Sequence, residues 1–356
     1  MLIRGSIVIF LSGLVIGFTV FSIKDSSISV ASLVSSDFAQ ADSSEAGQVL
    51  GIQEVSQMVN QASNNLKSAS SPITSAVYPQ DHNLPENKDK TIKIQAKINE
   101  ESLDSFDYAV EAKAAAALDS KNNIFLFQQD ADEVRSIASI TKLMTALVFL
   151  DNNPGWEEVY IIKDEDRRLG GKIYLFTGEE VKVRHLFNLG LVASANTATV
   201  ALVSSTGLSE AEFVAKMNDK ARQLRLEKTH FDDPVGLSNY NVSTAKEIAI
   251  LARAALAKED ISQATLNENY KFTTESGKAK SAPTTDYLLE HFPQNGIKII
   301  GGKTGRTEAA GYCFVGEFSD HFGNRIISVV LGGDDNNSRF EETKKLVGWV
   351  YDSYRW

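Results

Sequence analysis

The chain of 356 residues has a single cysteine, Cys313, so it can form neither an intrachain disulfide nor a multi-cysteine metal site. Histidine is scarce too. His82, His185, His230, His291 and His321 are scattered, and no two sit at the spacing of a zinc ligand set, so each is read as a surface or packing residue. Positive charge is in the minority: 36 Lys and Arg stand against 46 Asp and Glu, a net charge of −10. That balance argues against a polyanionic partner such as nucleic acid. No internal repeat is visible. The length allows one large domain or two smaller ones.

The chain changes character along its length. Residues 5–23 carry no charge, with Arg4 before them and Lys24 and Asp25 after. As a helix they would extend about 28 Å, close to one hydrocarbon core. Residues 1–24 are therefore expected to be an uncleaved transmembrane anchor with the amino terminus inside, a removable signal peptide being the competing reading. Either would place the remainder outside the cytoplasm, on a single-pass membrane protein in the first case. Residues 25–105 are dominated by Ser, Ala, Gln and Asn and are poor in aromatics. They are expected to form a largely disordered stalk, because they cannot bury enough apolar area to offset their ordering entropy. Ile52, Val55, Met58, Val59, Ala62 and Leu66 have helical spacing within it, and 91–98 alternates like a strand.

The globular part is expected over 106–356. Segments 114–118 and 122–128 read as a hairpin. Helices are expected over 185–193, 196–205, 209–224 and 244–257, and strands over 270–274, 297–302, 312–318 and 325–331. Ser338-x-x-Glu341 reads as a capping box opening a final helix. Glu179-Glu180 and Asp334-Asp335 read as solvated loop charges. Strands at both ends and helices between them predict an α+β domain: an antiparallel sheet assembled from both ends, with an inserted helical region.

Ser139-Ile140-Thr141-Lys142 runs straight into the apolar stretch 143–150. On a helix, Ser139 and Lys142 share one face. A serine hydroxyl needs a neighbouring base to act as a nucleophile, and a lysine can be that base only when its surroundings depress its pKa. Ser243-Thr244-Ala245-Lys246 has the same pattern, but there Thr244-x-x-Glu247 is a capping box opening an apolar-periodic helix. Ser194-Ala195-Asn196 falls between two expected helices and could equally be a cap. Lys303-Thr304-Gly305 follows the strand-like 297–300 and occurs once. It is not a phosphate loop, which would need glycine where Ile297 stands and a helix afterwards.

In that order, at separations of about 55 and 110 residues, these three motifs make the set of the penicillin-binding proteins and class A β-lactamases. The chain resembles the D-alanyl-D-alanine carboxypeptidase family of serine peptidases, the low-molecular-weight penicillin-binding proteins, over residues 108–356. Ala138-Ser139-Ile140-Thr141-Lys142-Leu143-Met144-Thr145-Ala146 is similar to the family's nucleophile segment. Leu191-Val192-Ala193-Ser194-Ala195-Asn196 resembles its second motif. Gly302-Lys303-Thr304-Gly305-Arg306-Thr307, with Ala310-Gly311-Tyr312, resembles the third. Asp233-Pro234-Val235-Gly236-Leu237 resembles part of the connector. Ile137 replaces a usual proline, Arg306 a commoner His, Tyr or Phe, and Thr285 or Asp286 an asparagine usual before the paired leucines.

The resemblance implies the β-lactamase/DD-peptidase-like αβα sandwich and acyl transfer at peptidoglycan stem peptides ending in D-Ala-D-Ala, with acylation by β-lactams. It makes Ser139 the nucleophile, Lys142 the general base and Ser194 the proton relay. Asn196 would hold the substrate backbone. Lys303 would supply a second cation and Thr304 would bind the substrate carboxylate. Gly305 would let the substrate approach, and the N–H groups of Ser139 and Arg306 would hold the oxyanion. It implies no cofactor and no metal. A DD-endopeptidase, a β-lactamase of the same fold and a non-catalytic wall-binding protein stay open as alternatives.

Overall fold

A computed structural model of the chain describes the backbone of residues 5–11 and 14–20, and residues 109–292, 295–354 and 356. The chain divides into two compact units, 1–87 and 88–356. In the first, Gly5–Leu11 and Leu14–Val20 are antiparallel strands, paired from Gly5↔Val20 to Leu11↔Leu14. Over 5–11 and 14–20, strands thus stand where a single spanning helix was expected across 5–23. β-Branched and aromatic residues (Ile7, Val8, Ile9 and Phe10, then Val15, Ile16, Phe18, Thr19 and Val20) fill both segments, and such residues favour extended backbone. Among the described residues no helix is long and apolar enough to cross a membrane. The expected stalk, the patterns at 52–66 and 91–98, the boundary at 105/106 and His82 lie outside the described residues.

In the second unit a five-stranded antiparallel sheet runs in the order Lys298–Thr307, Gly311–Ser319, Arg325–Gly333, Ala114–Asp119, Ile124–Gln129. Its strands come from both ends of the unit, as expected. Both faces are covered, which explains why Arg325–Gly333 is almost uniformly apolar instead of alternating. On one face Phe314, Phe318, Ile326 and Val330 pack on Phe340, Leu346, Val347 and Val350 of the helix Ser338–Ser353. On the other, Ala116, Leu118, Val315, Ile327 and Val329 pack on the helical region, beginning with Ala245–Leu256. The result is the αβα sandwich. The alanines 114–117 are good helix formers drawn into a strand by pairing, and their small side chains suit a strand buried on both faces.

The helical region contains Lys142–Asp151, Val183–Val192, Asn196–Ser205, Glu210–Gln223, Ala245–Leu256 and Glu259–Thr265. Thr244 caps its helix by accepting the Glu247 N–H at 3.2 Å, and Lys246 pairs with Asp132, so the second Ser-x-x-Lys is structural. Three expectations change. The strand near 270 is Asn269–Thr273, and it pairs with Ala279–Pro283 in a separate ribbon, not in the main sheet. The final helix is capped by Asp335, whose carboxylate accepts the N–H groups of Asn337 at 2.7 Å and Ser338 at 2.8 Å, instead of by a Ser338–Glu341 box. Glu179 is buried, with Lys280 Nζ 2.8 Å from its carboxylate and the Phe176 N–H donating at 3.1 Å, so it is no solvated loop charge.

Candidate active site

Ser139 sits in a 3-10 turn, Ala138–Thr141, that leads into the helix starting at Lys142. The turn, and not the helix proper, brings the pair together: Lys142 Nζ is 2.9 Å from Ser139 Oγ. Ala138 holds φ at +47°, a left-handed conformation that costs a side-chain-bearing residue energy and persists because its surroundings fix it. Two glycines press on this turn. A Cβ on Gly305 would lie 2.8 Å from the Ile137 carbonyl, so the strand Lys298–Thr307 can lie against the turn only with glycine there. Gly236, at φ +84°, would put a Cβ 2.0 Å from the Ala138 carbonyl oxygen.

Gly236 belongs to a loop wound round one carboxylate. Asp233 accepts the N–H groups of Val235 at 2.6 Å and of Gly236 and Ser238 at 2.5 Å each. Asn241, fully buried, ties this loop to the turn through Thr141 Oγ1 at 3.0 Å and the Asp233 carbonyl at 2.8 Å. Wound this way, the loop aims the Val235 carbonyl at Lys142 Nζ, 2.7 Å away. Asn196 opens the helix Asn196–Ser205, and its Oδ1 is 2.8 Å from the same Nζ. Its Nδ2 donates to the carbonyls of Gly170 at 2.7 Å and Leu169 at 3.2 Å, which fixes which way the amide points. Lys142 is 1% exposed, and burial pushes its pKa down to about 7 against the opposing pull of Asp233.

Ser194, with φ +53°, turns the chain between two helices. Its Oγ accepts from Lys303 Nζ at 2.9 Å, and Lys303 also donates to the Thr304 carbonyl at 3.0 Å. Burial, then the charges of Lys142 and Arg339, hold the Lys303 pKa well below the ordinary lysine value, while Asp286 opposes them. Thr304 Oγ1 is 2.6 Å from Thr285 Oγ1. Arg306 is exposed, its guanidinium 5.3 Å from the centre of the Tyr312 ring. Lys142, Asn196 and Ser139 thus form one hydrogen-bonded group, Ser194 and Lys303 a second, and Gly305 joins the strand of the second to the turn of the first. A cleft of about 820 Å³, lined by Arg167, Leu169, Ile173, Phe176 and Thr197 among others, adjoins Asn196.

Three contributors escaped the sequence reading as site residues. Asp233 and Val235 belong to the connector-like stretch 233–237, whose sequence carries no catalytic motif of its own. Arg339, 6% exposed, reaches from the C-terminal helix to donate to the Gly305 carbonyl at 3.0 Å. No local motif marks it, since only the packing of that helix on the sheet carries it there. Of the expected packing histidines, His185 lies 2.7 Å from Tyr270 OH through Nδ1 and stacks on Phe272.

Comparison with known proteins gives this arrangement its relatives. The sequence profile of the D-alanyl-D-alanine carboxypeptidase family matches residues 98–335. The D-alanyl-D-alanine carboxypeptidase DacF of Bacillus subtilis is 30% identical over 255 residues, 70% of this chain and 64% of that one. A D-alanyl-D-alanine endopeptidase of Haemophilus influenzae is 38% identical over 152 residues, 42% of this chain and 52% of its own. The chain therefore spans less than two thirds of the length of these two relatives. Among solved structures, a variant of a Streptomyces DD-transpeptidase superposes with a TM-score of 0.64 at 26% identity, covering 69% of this chain and 99% of that one. Motif order, sandwich and profile agree, and the chain belongs to the D-alanyl-D-alanine carboxypeptidase family of serine peptidases.

Proposed function

We propose that the protein is a serine-type D-Ala-D-Ala carboxypeptidase working through an acyl-enzyme on Ser139. The observation that carries this reading is the environment of Lys142. Two of its three partners, Asn196 Oδ1 and the Val235 carbonyl, can only accept hydrogen bonds. A neutral amine has two N–H bonds and one lone pair. Spending both N–H bonds there leaves the lone pair for the third partner, the Ser139 hydroxyl, which then donates to it. Burial supplies the neutrality that this chemistry needs.

The steps follow from these roles. Ser139 gives its proton to Lys142 Nζ as Oγ bonds to the carbonyl carbon between two terminal D-alanines. The oxyanion is held by the N–H groups of Ser139 and Arg306, and losing one such donor typically costs about 3–4 kcal/mol of barrier. Collapse breaks the peptide bond. The departing amine takes back one proton, with Ser194, held by Lys303, as the relay. Water then gives its proton to Lys142 and attacks the ester, releasing the shortened peptide and restoring Ser139. A β-lactam, whose strained amide stands in for the peptide bond, would acylate the same oxygen. Since peptidoglycan lies outside the cytoplasmic membrane, the reading places the unit 88–356 there.

The relatives include carboxypeptidases and endopeptidases by name, so cleavage of cross-links is the second reading. Both are decided with two substrates: an N-acylated tripeptide ending in D-Ala-D-Ala and a cross-linked muropeptide dimer. Release of free D-alanine from the first by the wild type, lost in Ser139→Ala, is the expected result. Cleavage of the dimer alone would make the protein an endopeptidase. Turnover undiminished in Ser139→Ala would refute the mechanism.

A further inference from the structure

Just before the 3-10 turn Tyr287–Glu290, Thr285 meets the strand that carries Lys303 and Thr304. Thr285 is held from two sides. Its N–H donates to the carbonyl of Val192 at 3.1 Å, at the end of the helix that precedes Ser194. Its Oγ1 lies 2.6 Å from Thr304 Oγ1. Its neighbours are held as well: the Thr284 N–H donates to the Glu268 carbonyl at 2.8 Å, and Asp286, 3% exposed, caps the turn by accepting the Leu288 N–H at 2.9 Å. Thr285 is thus clamped between the helix Val183–Val192 and the strand Lys298–Thr307.

Two hydroxyls at that distance share one hydrogen bond, and each has only one proton to give. If Thr304 donates to Thr285, Thr304 turns lone pairs toward anything binding over it. If Thr285 donates, the Thr304 proton is free. Thr304 is 4% exposed and depends on its neighbour for a partner, whereas Thr285 is exposed, so water can meet its remaining lone pairs. The buried Arg339 guanidinium donates to the carbonyl of Gly305, the residue after Thr304, so the charge beside this corner suits an anion.

We propose that Thr285 is a positioning residue for the terminal carboxylate of the substrate: its hydroxyl donates to Thr304, freeing the Thr304 proton for that carboxylate. This rests on the DD-peptidase reading above. It makes Thr285 a determinant of selectivity for substrates with a free carboxylate, acting through Thr304 without touching the reacting atoms.

The test uses the full chain and one tripeptide ending in D-Ala-D-Ala, as the acid and as its C-terminal amide, with Thr285→Val, Thr285→Ser, Thr304→Val and the double valine variant. Thr285→Val removes the donor and keeps the shape. It is expected to raise KM for the acid about tenfold, the scale of a hydrogen bond to a charged group, with kcat nearly unchanged. The amide should be unaffected, Thr285→Ser should restore the acid, and the double variant should lose no more than Thr304→Val alone. Equal losses on acid and amide, failure of serine to restore, or additive losses in the double variant would each overturn the assignment. If wild type turned over neither peptide and took up no β-lactam, the peptidase reading would fall and the assignment with it; uptake of a β-lactam with no preference for the acid would overturn the assignment alone.

Discussion

In the proposed mechanism Lys142 is the residue on which the chemistry turns, and its environment makes the pH dependence explicit. Its pKa is depressed by burial to about 7, and only the neutral amine can accept the Ser139 proton. Acylation should therefore rise as pH increases through about 7, and the second-order rate of reaction with a penicillin, measured from pH 5.5 to 8.5, checks it. A flat profile across that range would contradict the assignment of the base. Lys142→Arg should lose about a thousandfold or more at every pH, because a guanidinium does not deprotonate in a protein. The pair was legible in the sequence because three residues of spacing fix its reach in either a helix or a tight turn. Val235 and Arg339 were not. One acts through a main-chain carbonyl that any side chain could accompany, and the other arrives from the far end of the unit by helix packing.

At the scale of elements, the site depends on two close approaches of backbone. The loop 233–238 meets the 3-10 turn at Gly236, and the edge strand meets it at Gly305. A methyl group at 236 would overlap the Ala138 carbonyl and would also strain a left-handed backbone. Gly236→Ala should therefore cost about 3 kcal/mol or more of stability, seen as a lowered thermal midpoint, and should slow acylation even at temperatures where the variant is folded. Unchanged acylation would mean that the loop does not position Lys142. Asp233-Pro234-Val235-Gly236 could have been read as a turn knotted by an aspartate, since aspartate commonly bonds N–H groups just beyond it. What it would point at was beyond sequence. The segment 5–23 shows the opposite limit. Length and absence of charge favour a spanning helix, but its β-branched and aromatic content suits strands equally, and over 5–11 and 14–20 strands are what form.

At the scale of the whole molecule, the expectation of a sheet built from both ends holds because pairing of the first and last strands is encoded as apolar runs bounded by turns. The ribbon Asn269–Thr273 with Ala279–Pro283 has the same local signature, and nothing local says that it stays apart from the main sheet. The catalytic candidates sit where the edge strand, the 3-10 turn and the start of the helix Asn196–Ser205 converge, so one sandwich supplies all of them. A chain beginning at residue 88 should accordingly melt in one cooperative transition and keep the acylation rate of the full chain, as calorimetry and penicillin labelling would show. Loss of labelling by a folded truncation would mean that the first unit takes part.

The central claim is that Ser139 is an activated nucleophile, and intact mass spectrometry of the chain after exposure to a penicillin tests it most directly. The account predicts one equivalent of drug bound, mapped to Ser139 by peptide digestion and absent from Ser139→Ala, whose circular dichroism should match the wild type. A folded wild-type chain that takes up no drug, or one labelled at another residue, would contradict it.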